Sequence, residues 1–342
     1  IIMNTKTFLN LLIITFLITL FTILSINFNK QTYVFENRGN SFINNFTKNI
    51  NDIQTISIES FDNTLDLIKQ DNNYISKSGY PFKKGIWENL ITSLSLLRIE
   101  EKKTNDPKRY SELNLLSPEL NNSKDESDGY ASKITLKKKD GTIYTSILFG
   151  KTDPSVGGLS GGQFARMSNE DQSYLLKGAI RMPSSKSDWF ESLLFTIQNE
   201  DFKSAKLVNQ NKVFEIQSLE KSLKLTYPKV DISEIDEIKL NQVREVINGF
   251  YFYDVRKSNY NNINKSPTII FETKNGLILS ISSIGSNKNK ESWVIIKANY
   301  NNPNAKALSE EINKKTSGFE FLANINTSEI LLWNINNFKS KS

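Results

Sequence analysis

Two short strings would do nucleotide chemistry in the right setting. Gly150-Lys151-Thr152 matches the end of a phosphate-binding loop, and Leu159-Ser160-Gly161-Gly162-Gln163 spells the signature of an ABC-type ATPase. A phosphate-binding loop needs a glycine five residues before Gly150, so that its backbone N–H groups can wrap phosphate. Position 145 is Thr, and Thr145–Phe149 reads as a strand. The ATPase signature caps a long helix, most of a domain away from the phosphate loop. Here six residues separate the two strings, and Gln163–Met167 and Ser173–Lys177 read as strand, turn, strand. The expectation is a glycine-rich hairpin connection. Ser218-Leu219-Glu220-Lys221 fits the Ser-x-x-Lys of some acyl enzymes, whose serine starts a helix over a cleft; this one joins two short strands, so it reads as a turn. Asp125-Glu126-Ser127-Asp128 lacks the glycine and spaced ligands of a calcium loop. Trp87, Trp189, Trp293 and Trp333 each sit among apolar residues and read as core. No residue is assigned a catalytic, cofactor-binding or metal-ligating role.

Missing residue types narrow the chemistry further. The 342 residues include no Cys and no His. That excludes disulfides, zinc–thiolate sites, thiol nucleophiles, Ser–His–Asp hydrolases and imidazole acid–base work. An enzyme here would rely on carboxylates, Lys, Tyr or a Ser–Lys pair. The net charge of +6 and pI near 9.1 imply weak attraction to anionic surfaces. The lysines are spread among nearly as many acids, and Lys137-Lys138-Lys139 runs into Asp140-Gly141 as a solvated hairpin tip. With no basic stripe interleaved with aromatics, no nucleic-acid partner is expected.

The elements that must carry any site begin with Phe8–Ile26, an uncharged apolar run. As a helix rising ~1.5 Å per residue, it approaches the ~30 Å hydrocarbon core of a bilayer. It exceeds the ~7–15 residue core of a cleaved secretory signal, and no small-residue cleavage site follows. It is therefore expected to be an uncleaved anchor contacting membrane lipid. Lys6 before the run and Lys30, Arg38 and Glu36 after it barely decide orientation. A short tail ahead of one apolar run places the bulk in the periplasm or outside the cell. The expected layout is a cytoplasmic tail (1–7), a transmembrane anchor (8–27), a polar linker (28–51), a first α+β repeat (52–200), a second (201–335) and a C-terminal tail (336–342).

Beyond the linker the hydrophobic pattern alternates. Ile53–Ser60, Thr64–Lys69 and Tyr74–Lys77 read as strands, followed by a helix with Phe82, Ile86, Leu90, Ile91, Leu94 and Leu97 on one face. The order returns in Phe202–Val208, Val213–Gln217 and Ser222–Thr226, then a helix carrying Ile235, Ile238, Val243, Val246 and Ile247. Hairpins follow in both halves, turning at Asp140-Gly141 and Asn275-Gly276 and ending in Phe149-Gly150 and Ile284-Gly285. Pairing Ile53 with Ser204 gives an offset of 151, and Gly141 with Gly276 one of 135. The expected class is α+β, two tandem β-β-β-α-β-β units of antiparallel sheet with packed helices. Near the end, Ala305, Leu308 and Ile312 mark a helix, Gly318–Leu322 a strand, and Thr327–Trp333 a last helix capped by Thr327 or Ser328.

Three stretches together carry a family resemblance. Tyr80–Leu113 leads from a Trp-bearing helix into Lys103-Thr104-Asn105-Asp106-Pro107 and Tyr110-Ser111-Glu112-Leu113. Phe149-Gly150-Lys151-Thr152 precedes a hairpin holding Arg166 and Tyr174-Leu175-Leu176. Asp188-Trp189-Phe190 precedes Leu193-Leu194. In these the chain resembles a bacterial family, that of domain of unknown function 4340, over most of residues 50–335. The resemblance implies a membrane-anchored extracytoplasmic protein, an auxiliary component beside gliding-motility-type ABC transporters, and it supplies no catalytic residues. The expected function is a non-enzymatic scaffold with a membrane-protein partner such as an ABC permease, and without a cofactor. The alternatives are an envelope hydrolase using paired carboxylates on cell-wall polymer, or an extracytoplasmic ligand-binding protein.

Overall fold

The computed structural model describes residues 5–32, 37–60, 63–120, 128–156, 158, 161–209, 212–219, 222–229, 235–259 and 266–339. Helix α1 (Thr5–Thr32) and the single turn α2 (Phe46–Asn49) precede a first repeat. It runs β1 (Ile53–Glu59), β2 (Thr64–Gln70), β3 (Asn73–Ser76), α3 (Ile86–Leu96), β4 (Arg98–Lys102), β5 (Ser132–Lys138), β6 (Ile143–Asp153), β7 (Gly162–Met167) and β8 (Ser173–Lys177). After the short strand β9 (Leu193–Phe195) the order recurs as β10 (Phe202–Asn209), β11 (Lys212–Leu219), β12 (Ser222–Tyr227) and α4 (Glu237–Glu245). The chain continues through β13 (Phe250–Lys257), β14 (Thr268–Thr273), β15 (Leu277–Ser286), β16 (Ser292–Tyr300), α5 (Lys306–Thr316), β17 (Phe319–Ala323) and α6 (Ile325–Leu331).

Compactness cuts the chain differently from this order. One unit holds residues 1–64 and 89–181, the other 65–88 and 182–342. In the first unit six strands lie in the order β1-β5-β6-β7-β8-β4. In the second the sheet runs β12-β11-β10-β14-β15-β16-β17-β13-β9. The stretch β10-β14-β15-β16-β17-β13 repeats the first unit's six strands one for one, and β2 pairs with β3 as β11 pairs with β12. All these pairings are antiparallel.

Register makes the duplication specific. Ile53 faces Lys138 and Phe202 faces Thr273, and each pair is followed at once by a bulge, before Thr55 and Ser204 respectively. The equivalent residues are thus Ile53 and Phe202, an offset of 149 rather than the 151 read from the sequence. A slip of two keeps the same face inward, so the alternation alone could not detect it. The partner strands keep the offset of 135, with Ile134 and Ile269, and Leu136 and Phe271, equivalent and all fully buried. A second bulge falls at Phe149-Gly150 in β6 and at Ile284-Gly285 in β15.

Several boundaries move. Each repeat has a further strand directly after its helix, β4 or β13, which the sequence reading did not place. Phe82 and Ile235 precede their helices, and Ile238 is exposed; Leu240 and Val243 are the buried residues of α4. The last helix begins at Ile325, because the Asn324 side chain accepts from the Thr327 N–H at 2.7 Å and caps it. Thr327 and Ser328 are buried inside that helix. The polar linker also ends earlier than residue 51. Phe42, Ile43 and Phe46 are buried, Gly39 donates to the Ile99 carbonyl, and Phe42 packs edge-on against Tyr174. Residues 39–52 are a strap held on the first unit by these buried apolar side chains. At the other end Phe338 is fully buried against Phe214 and Trp333, so the packed chain continues past residue 335, where the tail was expected to begin.

Helix α1 is apolar on every side, and its hydroxyls at Thr15, Thr19 and Thr22 bond back to carbonyls of the preceding turn. Its described side chains end at Leu24. Among the described residues no helix is long and apolar enough to cross a membrane.

Candidate functional site

The two nucleotide-like strings reach neighbouring strands of the first unit, where they serve packing. Gly150-Lys151-Thr152 lies inside β6, extended backbone that cannot wrap phosphate. A Cβ at Gly150 would stand 2.1 Å from the Leu113 carbonyl oxygen. The missing side chain therefore lets the 3-10 turn Pro107–Leu113 lie on the sheet. Gln163 is buried at the start of β7. Its side-chain amide donates to the Gly150 carbonyl at 3.0 Å and accepts from the Ile180 N–H at 2.9 Å. The glutamine of the ATPase-like string and the glycine of the phosphate-loop-like string are thus bonded to each other across neighbouring strands. As the sequence predicts, strand, turn and strand follow Gly162. Residues 159 and 160 lie outside the described residues.

Arg166, three residues further along β7 and on its opposite face, is the most buried cation among the described residues of the unit. Its guanidinium stacks over the Tyr110 ring at 4.4 Å and donates to the carbonyls of Leu115, Met167 and Glu170 at 3.2–3.3 Å. Tyr110 in turn donates its hydroxyl to the Asp171 carbonyl at 2.6 Å. Burial lowers the Arg166 pKa, opposed by Tyr110 and Asp171. Burial raises the Tyr110 pKa, with Arg166 pulling it down. A cation that gives its donors to carbonyls and its face to a ring is committed to holding the connection 104–116 onto the sheet. Tyr110, Leu115, Leu148, Phe164 and Leu175 form the core beneath it.

The second unit has a comparable aromatic centre. Tyr80 meets Phe190, Phe252, Phe319 and Phe321 edge-on, with ring centroids 4.9–5.9 Å apart. Burial, reinforced by Glu191, pushes its hydroxyl up to about 12. Elsewhere in this unit Arg256 stacks on Trp293 at 4.0 Å and bonds Glu320 at 2.6 Å. That nearly buried carboxylate also accepts from Ser258 Oγ and the Asn259 N–H. Trp189 and Trp333 are buried, so the reading of the tryptophans as core holds for these two; Trp87, against Tyr74, and Trp293, beneath Arg256, are only partly buried.

Three cavities are described. One of about 570 Å³ in the first unit is lined by Ile43, Tyr144, Met167 and Glu170. In the second unit, one of about 630 Å³ is lined by Ser258, Ile295, Asn313 and Phe319, and one of about 270 Å³ by Leu223, Leu225, Ile235, Glu237 and Leu240. Paired-carboxylate hydrolysis needs two acids roughly 5–9.5 Å apart, and none of these three cavities has more than one in its lining. Among the described residues no group of three Asp or Glu side chains could hold a metal ion. Ser218 and Leu219 end β11, where Leu219 pairs with Ser222 of β12. Their neighbours 220 and 221, and the acid run at 125–127, lie outside the described residues.

Fold and site together define a duplicated antiparallel-sheet protein whose motif residues hold its connections in place. Residues 73–268 match the model of a family described as domain of unknown function (DUF4340), and the chain belongs to that family. No curated protein and no solved structure matches it.

Proposed function

We propose that this protein is a non-enzymatic, membrane-anchored scaffold or auxiliary subunit. Its helix α1 sits in the cell membrane, and its two β-rich units stand on the extracytoplasmic side, offered to a membrane-protein partner such as an ABC permease. The observation that carries this reading is the exposure of α1. From Phe8 to Leu24 thirteen large apolar side chains are 43–76% exposed, on all sides of the helix. A helix apolar all round is stable when surrounded by protein core or by lipid, and the backbone of α1 extends over 28 residues, beyond the ~20 that a bilayer requires. The non-enzymatic part of the reading is supported by where the tempting residues are spent. Gly150, Gln163, Arg166 and Glu320 all have their groups committed to neighbours within the fold.

Expression of the full chain followed by alkaline washing of the membranes tests the anchor. The protein is expected to stay in the pellet and to enter solution only with detergent; release by the wash would overturn the reading. Purification in several mild detergents tests the scaffold. Recovery with a second membrane protein is expected, and a lone monomer in every detergent counts against it.

A further inference from the structure

The strap that leads out of α1 fixes which side of the first unit stands nearest that helix. Gly39 is bonded to Ile99 of β4, and Ser41 pairs with Arg98. Only six residues lie between Thr32, the last of α1, and Gly39, a reach of at most about 25 Å. The β4 edge is therefore tethered close to the point where α1 ends. That edge is also biased in charge. Lys102 and Lys177 are exposed along it, as is Arg38, which is ion-paired with Glu100, and Arg98 is partly so, against Glu100 and Glu101. Leu96, at the end of α3 just before β4, is 61% exposed among them.

We propose that the β4 edge, with the strap 37–42 and Leu96, rests on the anionic headgroups of the bilayer that holds α1. This rests on the membrane reading of α1 given above. Cations around an exposed leucine fit an interface in which the apolar side chain enters the headgroup layer and the charges meet lipid phosphates. The far side of the sheet is left for a protein partner. The hairpin tip at Lys139 follows β5, four strand spacings from β4, about 19 Å further along the sheet.

The absence of Cys permits single labels. Leu96→Cys and Lys139→Cys, each carrying a fluorophore, are reconstituted in phosphatidylcholine vesicles with and without phosphatidylglycerol, with a quencher on the lipid headgroups. The Leu96 label is expected to be quenched severalfold more than the Lys139 label, with a larger gap in the anionic vesicles. Adding Lys102→Gln and Lys177→Gln narrows that gap. Equal quenching of the two labels in protein that floats with the vesicles would overturn the docking proposal while leaving the anchor intact. Failure to float would overturn both.

Discussion

Gln163 joins two backbone segments, donating to Gly150 in β6 and accepting from Ile180 beyond β8. Both partners are backbone groups, and the amide itself is buried. Gln163→Met, which keeps the volume but removes both bonds, is expected to cost about 2–4 kcal/mol, because a donor and an acceptor lose their partners out of water. A denaturant melt reads this as a lower midpoint at unchanged slope. A variant as stable as the parent would show that water satisfies those groups.

Gly150 and Arg166 hold the connection 104–116 from two sides, one by lacking a side chain and one by donating to it. Gly150→Ala must move the Leu113 carbonyl, and about 2–4 kcal/mol of destabilisation is expected from this overlap. Gly141→Ala, at a positive-φ turn with open space around it, is expected to cost only about 1–2 kcal/mol. Equal losses would mean that the Leu113 carbonyl gives way to the added methyl at little cost.

At Arg166 the informative change is to Lys. The ammonium keeps the charge but cannot spread donors over the carbonyls of Leu115, Met167 and Glu170 while lying flat on Tyr110. Arg166→Lys is expected to be destabilised nearly as much as Arg166→Ala, by roughly 2–4 kcal/mol. Rescue of full stability by Lys would show that charge alone matters there.

Two tyrosines of the second unit's compact set make it sensitive to base. Tyr74 and Tyr80 both ionise only near pH 12 in the folded chain, through burial and, for Tyr80, the added repulsion of Glu191. An unfolded tyrosine ionises near 10. The neutral form is therefore favoured by folding, so this contribution is intact below pH 10 and is lost as the pH rises from about 10 through about 12. Tyr80→Phe is expected to retain the ring cage and to flatten part of that alkaline fall, measured by melts between pH 9 and 12. An unchanged alkaline limb would sink the assignment to Tyr80. Tyr80→Ala, by contrast, should cost about 3–5 kcal/mol at neutral pH, through the cavity left among four rings.

Glu272 gives the opposite limb. Lys203 Nζ at 2.8 Å and Asn301 Nδ2 at 2.9 Å hold its carboxyl below the ordinary range. A depressed folded pKa adds stability above the unfolded value, near 4.3, that is lost as the pH falls through the folded one. The lysine is largely exposed, so less than about 1 kcal/mol is involved. Melts of Glu272→Gln below pH 5 should show a shallower acid fall than the parent, and an identical fall would remove Glu272 from the account.

What the residues determined by themselves is the repeat and its class. Period-two alternation in Ile53–Ser60 and Phe202–Val208, the paired Asp140-Gly141 and Asn275-Gly276 turns, and the apolar–glycine pairs Phe149-Gly150 and Ile284-Gly285 are local signals, and local sterics fixes what they form. The same holds for the rejected phosphate loop, since Thr145–Phe149 is extended on its own pattern. Tertiary structure decided the rest. The offset of 149 depends on a bulge seen only in cross-strand pairing, because a shift by two residues leaves every side chain on its own face. Residues 65–88 belong to the compact unit of the second repeat through Tyr80 and its ring partners, which lie between 110 and 241 positions away in the chain. The bond from Gln163 to Gly150 was likewise out of reach, since no spacing rule announces which buried amide will meet which carbonyl. Sequence periodicity reports which face of an element is apolar, and only packing chooses what that face meets.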